Sequence, residues 1–539
     1  MEKRRKLKYL YIAGIITVLL LLLVGGMLVY VLKMPEEKGE SSPSGSEEME
    51  NGLTENLLPE NLIYGKSLPV ESFQDKTGQP RSLEEYRGKN LILIFWNSWC
   101  PDCSKAFEAM PVYEEVLKED PDTELLLIAR LDEEQKETVE KAEAKRKEEN
   151  IEFESWYDPG LKAYRAYGAR QIPTMLVLNT DGELACMTTT VPDTAGALKA
   201  MLADVKNGSD KSTLTFLENN LMSESGAVYT SMVKNENASA SGKAVLSESQ
   251  GLLMEYALLA EDQKLFQSVY TFLQQNMELD NCFTWMLDEE NQKAKANALL
   301  DDLRILKALD RANTLWGNYE EDEKKLAEGI LEHNVTGRGV VSFYDFDMKK
   351  MGNEISLSYL DMNGLELLKK YDDSTAEQID SAREVLEKGY ISDAFPLYYA
   401  SYNYKKKKYS DEDLNTAEAL LTLYHLAQEG NLKETSTRWL RNKVKNQTLG
   451  AKYHTDGSVA EGYGYESTAV YGIAALIGME ISDDQLYTMA LQAMEKTRVR
   501  DLDSRLNGSF TGTEDGSDIT VFDQLIPLLV YANEGGRER

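Results

Sequence analysis

The chain has 539 residues, 42% of them apolar and 28% charged, which is enough for about three packed domains and too apolar for wholesale disorder. With 91 acidic against 59 basic residues the formal charge is −32, which excludes a nucleic-acid partner, because a polyanion is repelled over most of such a surface. Four cysteines are too few for a disulfide-stapled scaffold. Three scattered histidines (His333, His425, His454) do not make a metal site, and no cofactor is expected.

Lys3, Arg4, Arg5, Lys6 and Lys8 precede an uncharged apolar run from Tyr9 to Leu32. As a helix that run is about 36 Å long, enough to cross a bilayer core of about 30 Å with some tilt. The five leading cations predict a cytoplasmic N-terminus, with everything after Lys33 outside the cell. A cleaved signal peptide is the competing reading. Its apolar region is normally shorter and ends in small residues, whereas Val31-Leu32-Lys33-Met34-Pro35 follows here. Residues 1–33 are therefore expected to be a cytoplasmic tail and single membrane anchor. The remainder carries −37.

Residues 34–58 are rich in Glu, Ser, Gly and Pro and lack aromatics, the composition of a solvated, disordered linker. Residues 59–206 alternate strand-like and helix-like runs. Leu91–Trp96, Glu124–Ala129 and Thr174–Leu178 read as strands buried on both faces, and Asn179-Thr180-Asp181-Gly182 as a hairpin turn. Residues 133–149 read as a charged helix and 193–205 as a closing one, which makes an α/β layer domain. From 207 to 539 apolar residues recur at helical spacing with almost no strand alternation. About twelve helices fit, the size of an all-α toroid of six hairpins.

Cys100-Pro101-Asp102-Cys103 lies at the turn from the first buried strand into a helix. A cysteine at a helix N-terminus has its thiolate favoured by the dipole and free N–H groups, and the two-residue spacing lets Cys103 resolve a mixed disulfide formed at Cys100. Gln171-Ile172-Pro173-Thr174 is the second signature. Together these elements resemble thioredoxin-like proteins of the TlpA/ResA type over about 59–206. The resemblance implies a cis Pro173 whose backbone faces the redox sulfurs and offers an edge to a substrate peptide. Ala106 and Ile94 stand where relatives carry acids. The remaining cysteines, Cys186 and Cys282, read as buried small hydrophobes.

In the helical region Ser247-Glu248-Ser249-Gln250-Gly251 opens a helix, with Ser247 placed to cap it. Phe283-Thr284-Trp285, the adjacent acids Asp301 and Asp302 in an otherwise apolar helix, and Leu357-Ser358-Tyr359-Leu360-Asp361 follow. Acids and aromatics at the starts of successive inner helices would meet at one end of a toroid, the mixture a sugar site needs. These pieces resemble glycoside hydrolase family 8, an inverting (α/α)6 group, with the Ser-Glu-x-Gln-Gly element the close part of the match. The resemblance implies that Glu248 is the general acid, that Asp302 (or Asp301) binds the sugar at the cleavage point, and that Trp285 and Tyr359 line the pocket. Where the family places its general base this chain offers amides, Asn403 or Asn415, which cannot take a proton from water. The proton-accepting role then falls to Glu418, or to Asp411 or Asp413 nearby, and Asn403 and Asn415 are expected to contact the sugar. Tyr463, Tyr465 and Glu466 belong either to the same cleft or to a rim loop.

The expected protein is a membrane-tethered, outward-facing thiol–disulfide oxidoreductase joined to a glycosidase-like domain acting on a surface or extracellular polysaccharide, β-linked by the resemblance. Its partners are exported thiol proteins or a membrane electron donor. The alternative is a non-catalytic, glycan-holding assembly factor with a thioredoxin-like docking module.

Overall fold

A computed structural model describes residues 61–167, 171–236 and 238–534. The expected anchor and linker lie outside the described residues, and among the described residues no helix is long and apolar enough to cross a membrane.

The α/β part is a seven-stranded sheet. In chain order its elements are β1 (Ser72–Gln74), β2 (Pro80–Ser82), β3 (Asn90–Trp96), α1 (Pro101–Glu108), α2 (Met110–Glu119), β4 (Thr123–Leu131), α3 (Val139–Glu148), β5 (Glu154–Pro159), α4 (Lys162–Tyr167), β6 (Thr174–Leu178), β7 (Leu184–Thr188) and α5 (Ala195–Asn207). The strand order is β2-β1-β5-β4-β3-β6-β7, with β3, β4 and β5 parallel, β6 antiparallel to β3 and β7 antiparallel to β6. This is a thioredoxin-like sheet, and it forms because β3 is apolar at every position from Leu91 to Trp96. Ile92, Ile94 and Trp96 pack on one face against α1, α2 and α5, while Leu91, Leu93 and Phe95 pack on the other. The charged helix begins later than its composition predicts. Asp132 accepts from the backbone N–H groups of Glu134 and Gln135, Lys136 takes φ 54°, and only at Thr138 does a side chain cap the helix start.

Beyond it stand twelve helices among the described residues, arranged as six hairpins. These are α6 (Ser209–Asn220), α7 (Ser247–Leu259), α8 (Gln263–Phe272), α9 (Leu299–Trp316), α10 (Glu320–His333), α11 (Met362–Leu368), α12 (Ala376–Lys388), α13 (Thr416–Gln428), α14 (Glu434–Lys445), α15 (Thr468–Glu480), α16 (Asp484–Met494) and α17 (Phe522–Glu534). The inner ring is α7, α9, α11, α13, α15 and α17. Each packs on the next, α11 reaching α13 through the turn at 357–359, and α17 closes on α7. Composition decides which helices are inner. In α15, Ala469 to Gly478 is buried on every side, whereas α12 buries only the stripe Ile379, Ala382 and Leu386.

The sheet and the ring share a core. The face of β3 that carries Leu91 and Leu93 continues into the apolar cluster of the helices. Polar ties cross the same junction: the Tyr64 N–H donates to Thr488 Oγ1 at 3.3 Å, and Asp204 on α5 takes Arg498 at 2.9 Å and Arg500 at 3.1 Å.

Candidate functional site

At the redox motif, Cys100 is the N-cap of α1 and Pro101 its first residue. Cys100 and Cys103 are joined as a disulfide. Cys100 Sγ accepts from the Cys103 N–H at 3.1 Å and lies 3.6 Å from the Ile172 carbonyl oxygen. The Ile172–Pro173 bond is cis, so the backbone before β6 faces the sulfurs as the resemblance implies. Asp102 points to solvent and pairs with Lys105 at 2.7 Å. A buried acid does stand by the motif, though the sequence pattern missed it. Glu137 accepts from the Ser98 N–H at 2.9 Å and the Ser98 hydroxyl at 2.7 Å, and it is only 4% exposed. It sits in the charged stretch 132–137, where nothing in the sequence marks one carboxylate as buried. Cys186 and Cys282 are both buried, and burial pushes the Cys186 thiol up to about 11.

In the ring, all six inner helices begin at one end, and Glu248, Asp301, Tyr359 and Glu418 come together there. Ser247 does not cap α7, because Leu246 holds the N-cap position. The Ser247 hydroxyl instead donates to Asp301 Oδ2 at 2.6 Å, linking the starts of α7 and α9. Glu248 is pushed up to about 7, first by burial of its carboxyl, then by the negative charge of Asp301 and more weakly by Glu418, against the opposing pull of Arg304. Asp301 and Glu418 are raised as well, chiefly by burial. Tyr359 is raised by burial and by the same three carboxylates. Arg304, one turn after Asp301 on α9 and 3.5 Å from it, is the cation that keeps this acidic cluster tolerable. Trp285 lies alongside, half-buried, its carbonyl accepting from the Ser247 N–H at 3.1 Å.

Three expected residues are placed elsewhere. Asp302 is fully buried and does not face Glu248. Its Oδ1 accepts from the Phe283 N–H at 3.0 Å and its Oδ2 from Asn297 Nδ2 at 2.8 Å, so it pins the 282–283 strand to α9. Consecutive helical residues point about 100° apart, so only one of the two acids can face the cluster, and that one is Asp301. Asn403 lies in a surface hairpin, donating to Glu354 at 3.4 Å and accepting from the Lys406 N–H at 3.0 Å. Asn415 is the N-cap of α13, its Oδ1 accepting from the Ala417 and Glu418 N–H groups at 2.9 and 3.3 Å. It borders the mouth but its amide oxygen is used structurally. Of the carboxylates that could serve as base, Asp411 pairs with Lys408 at 3.2 Å and Asp413 with His454 at 2.6 Å, both on the surface.

The mouth widens from Asn415 into a cleft of about 420 Å³ lined by Lys452, Tyr463, Tyr465, Glu466 and Asp523. Tyr463 and Tyr465 are exposed and adjacent, their centroids 6.1 Å apart. The rim tyrosines therefore belong to the same opening as Asn415 and α13. No group of three or more metal-ligating side chains is found among the described residues.

Comparison with known proteins matches both parts. The Redoxin family model covers residues 64–202. The thiol-disulfide oxidoreductase ResA of Bacillus thuringiensis subsp. konkukian (strain 97-27) is 27% identical over 125 residues, 23% of this chain and 69% of that protein. A Bacillus subtilis (strain 168) protein named "Putative lipoprotein YdaJ" is 28% identical over 324 residues, 58% of this chain and 84% of that one. A solved structure described as a novel alpha-amylase from Clostridium perfringens aligns at 28% identity and TM-score 0.55, over 60% of this chain and 97% of its own. The chain thus joins a thioredoxin-like domain, with thiol-disulfide oxidoreductases among its homologues, to a helical domain with a glycosidase-like fold.

Proposed function

We propose that this protein is an extracytoplasmic, membrane-anchored enzyme that joins in one chain a thiol–disulfide exchange module and a domain hydrolysing a glucan-type polysaccharide. The observation that carries the hydrolytic reading is Glu248, a carboxyl held near neutrality beside Asp301 and Glu418, with an aromatic- and acid-lined cleft beginning at Asn415 and Ala417, the residues just before Glu418. A general acid must be protonated at working pH, and burial with like charges does that. In this reading Glu248 protonates the leaving glycosidic oxygen. Glu418 takes a proton from the attacking water, Asp301 and Tyr359 hold the sugar at the cleavage point, and Tyr463 and Tyr465 offer stacking faces farther along. The description of the Clostridium perfringens neighbour favours an α-linked glucan as the first substrate to try, ahead of the β-linked one that the family 8 resemblance implies.

In the redox half, the Cys100 thiolate attacks a substrate disulfide to form a mixed disulfide and expel one substrate thiolate. The Cys103 thiolate then attacks Cys100 Sγ, releasing the second substrate thiol and leaving the Cys100–Cys103 disulfide. A dithiol partner or membrane electron donor must reduce that disulfide for the next turn. The cis Ile172–Pro173 edge beside Cys100 supports peptide substrates. The membrane anchor rests on the charge-flanked apolar run Tyr9–Leu32, and the lipoprotein naming of YdaJ agrees with a surface location.

The test is hydrolysis of a panel of α- and β-glucans by the full chain and by Glu248→Gln. Activity on an α-glucan that falls with Glu248→Gln supports the enzyme. Binding without hydrolysis in the native chain supports the glycan-holding alternative.

A further inference from the structure

The inner helices enclose a second cavity on the ring axis, of about 300 Å³. It runs from the middle of the ring toward the end away from the cluster around Glu248: Leu258 and Leu259 on α7, Gln428 on α13 and Glu480 on α15 line its far part, while Leu300 and Asp361 line its near part. At 1.5 Å per residue, Glu255 in its wall is about 10 Å farther along α7 than Glu248.

The chemistry of its wall is specific. Arg304 Nη1, His425 Nδ1 and Gln428 Oε1 are buried without a hydrogen-bond partner among the described residues, and all three side chains line the cavity. Arg304 is only 5% exposed and its ion pairs are loose, 3.9 Å to Glu255 and 3.5 Å to Asp301. His425 is also 5% exposed, and burial pulls it down to about 4, so the ring is neutral. One of its nitrogens is engaged with the Ser358 backbone, which leaves Nδ1 an acceptor. Arg304 Nη1 therefore lacks an oxygen at hydrogen-bonding geometry, while the imidazole and the amide oxygen lack a donor. A hydroxyl group satisfies both kinds of need.

Charge narrows the class further. Arg304, Lys307 and Arg311 are balanced by Glu255, Asp361 and Glu480, and Lys307 is already paired to Asp361 at 2.5 Å. The C-terminal ends of the inner helices add partial negative charge, which disfavours an anion. The volume is at the lower limit of ligand pockets, which restricts the occupant to about the size of one sugar ring.

We propose that this axial cavity is a second binding site, for a neutral polyhydroxy molecule of monosaccharide size, distinct from the cluster at the mouth. Arg304 lies between the two, in the cavity wall and beside Asp301, so an occupant of the cavity sits one side chain from the candidate active site. The site does not depend on Glu248 cutting a glycan.

The experiment is calorimetric titration of the full chain with glucose, with glycerol and sodium phosphate as comparators. Glucose should saturate with a dissociation constant of about millimolar order, as expected for a ligand that small. Phosphate should not bind. Gln428→Met, nearly isosteric and at a helix end, and His425→Phe should each weaken glucose about tenfold, while Glu248→Gln leaves it unchanged. Should His425→Phe fail to fold, Gln428→Met decides alone. Saturation by neither polyol, phosphate binding tighter than glucose, or binding kept in the cavity variants and lost in Glu248→Gln each overturns the proposal.

Discussion

The Ser247 hydroxyl donates to Asp301 Oδ2 at 2.6 Å, so the residue before Glu248 is tied to the neighbouring inner helix. That bond favours the charged form of Asp301 against the burial that raises it, and Asp301 is the largest electrostatic cause of the raised Glu248 value. Hydrolysis should therefore fall as pH rises through about 7, where Glu248 loses its proton. Asp301→Asn removes the repelling charge and should move that limb to lower pH by about one unit. A pH–rate profile in which the limb stays put contradicts the arrangement.

The same burial costs stability. A carboxyl whose folded value is about 7 against an ordinary 4.5 binds its proton more tightly folded than unfolded. Between those values the unfolded chain has lost a proton that the folded one keeps, so stability drops as pH rises from about 4.5 to 7 and stays reduced above. Glu248→Gln should thus stabilise the protein at pH above 7, by about 1 kcal/mol or more, and have little effect below 4.5. Thermal melts of the two proteins across this range give the answer.

Asp302 should behave as a structural residue. Asp302→Ala strands the Phe283 N–H and Asn297 in the core and should cost about 2–4 kcal/mol in denaturant unfolding. Asp302→Asn should cost less and keep the hydrolytic rate of the folded fraction. A variant that folds normally yet loses only glycan affinity would return Asp302 to the sugar site.

Asn415 and Glu418 separate in the same way. Glu418→Gln should lower kcat about 10²- to 10⁴-fold with stability nearly unchanged. Asn415→Ala removes the cap of α13 and should cost about 1 kcal/mol of stability with a far smaller rate effect. Rate and melting temperature measured on both variants distinguish them, and the reverse pattern points to Asn415 as the working group.

For the redox motif, Cys103→Ser should accumulate a mixed disulfide through Cys100, because the resolving sulfur is gone, whereas Cys100→Ser should trap nothing. Non-reducing electrophoresis and mass spectrometry of exported proteins read this directly. Glu137→Gln should slow resolution without changing which species is trapped.

What was legible in the sequence was local. The buried strand 91–96, the Cys100–Cys103 spacing, the Ile172–Pro173 element and the Glu248 helix start are short-range patterns, and the structure keeps each in its expected setting. Where the sequence reading went astray, the deciding contact came from far along the chain. Ser247 was expected to cap its own helix but bonds to Asp301, 54 residues away. Asp302 was preferred to Asp301 because adjacent acids look alike until the helix phase against its neighbours is known. The amides Asn403 and Asn415, expected at the sugar site, are occupied by turn and cap geometry, and the burial of Glu137 and Arg304 depends on elements folded over them.

By itself, then, the sequence determined the two fold classes and the order in which they occur, because periodicity and motif spacing act over a few residues. Only the packing of six helices into a closed ring decided which carboxylates share a wall. Charge and burial at a point are sums over every element that surrounds it, and no single segment carries that sum.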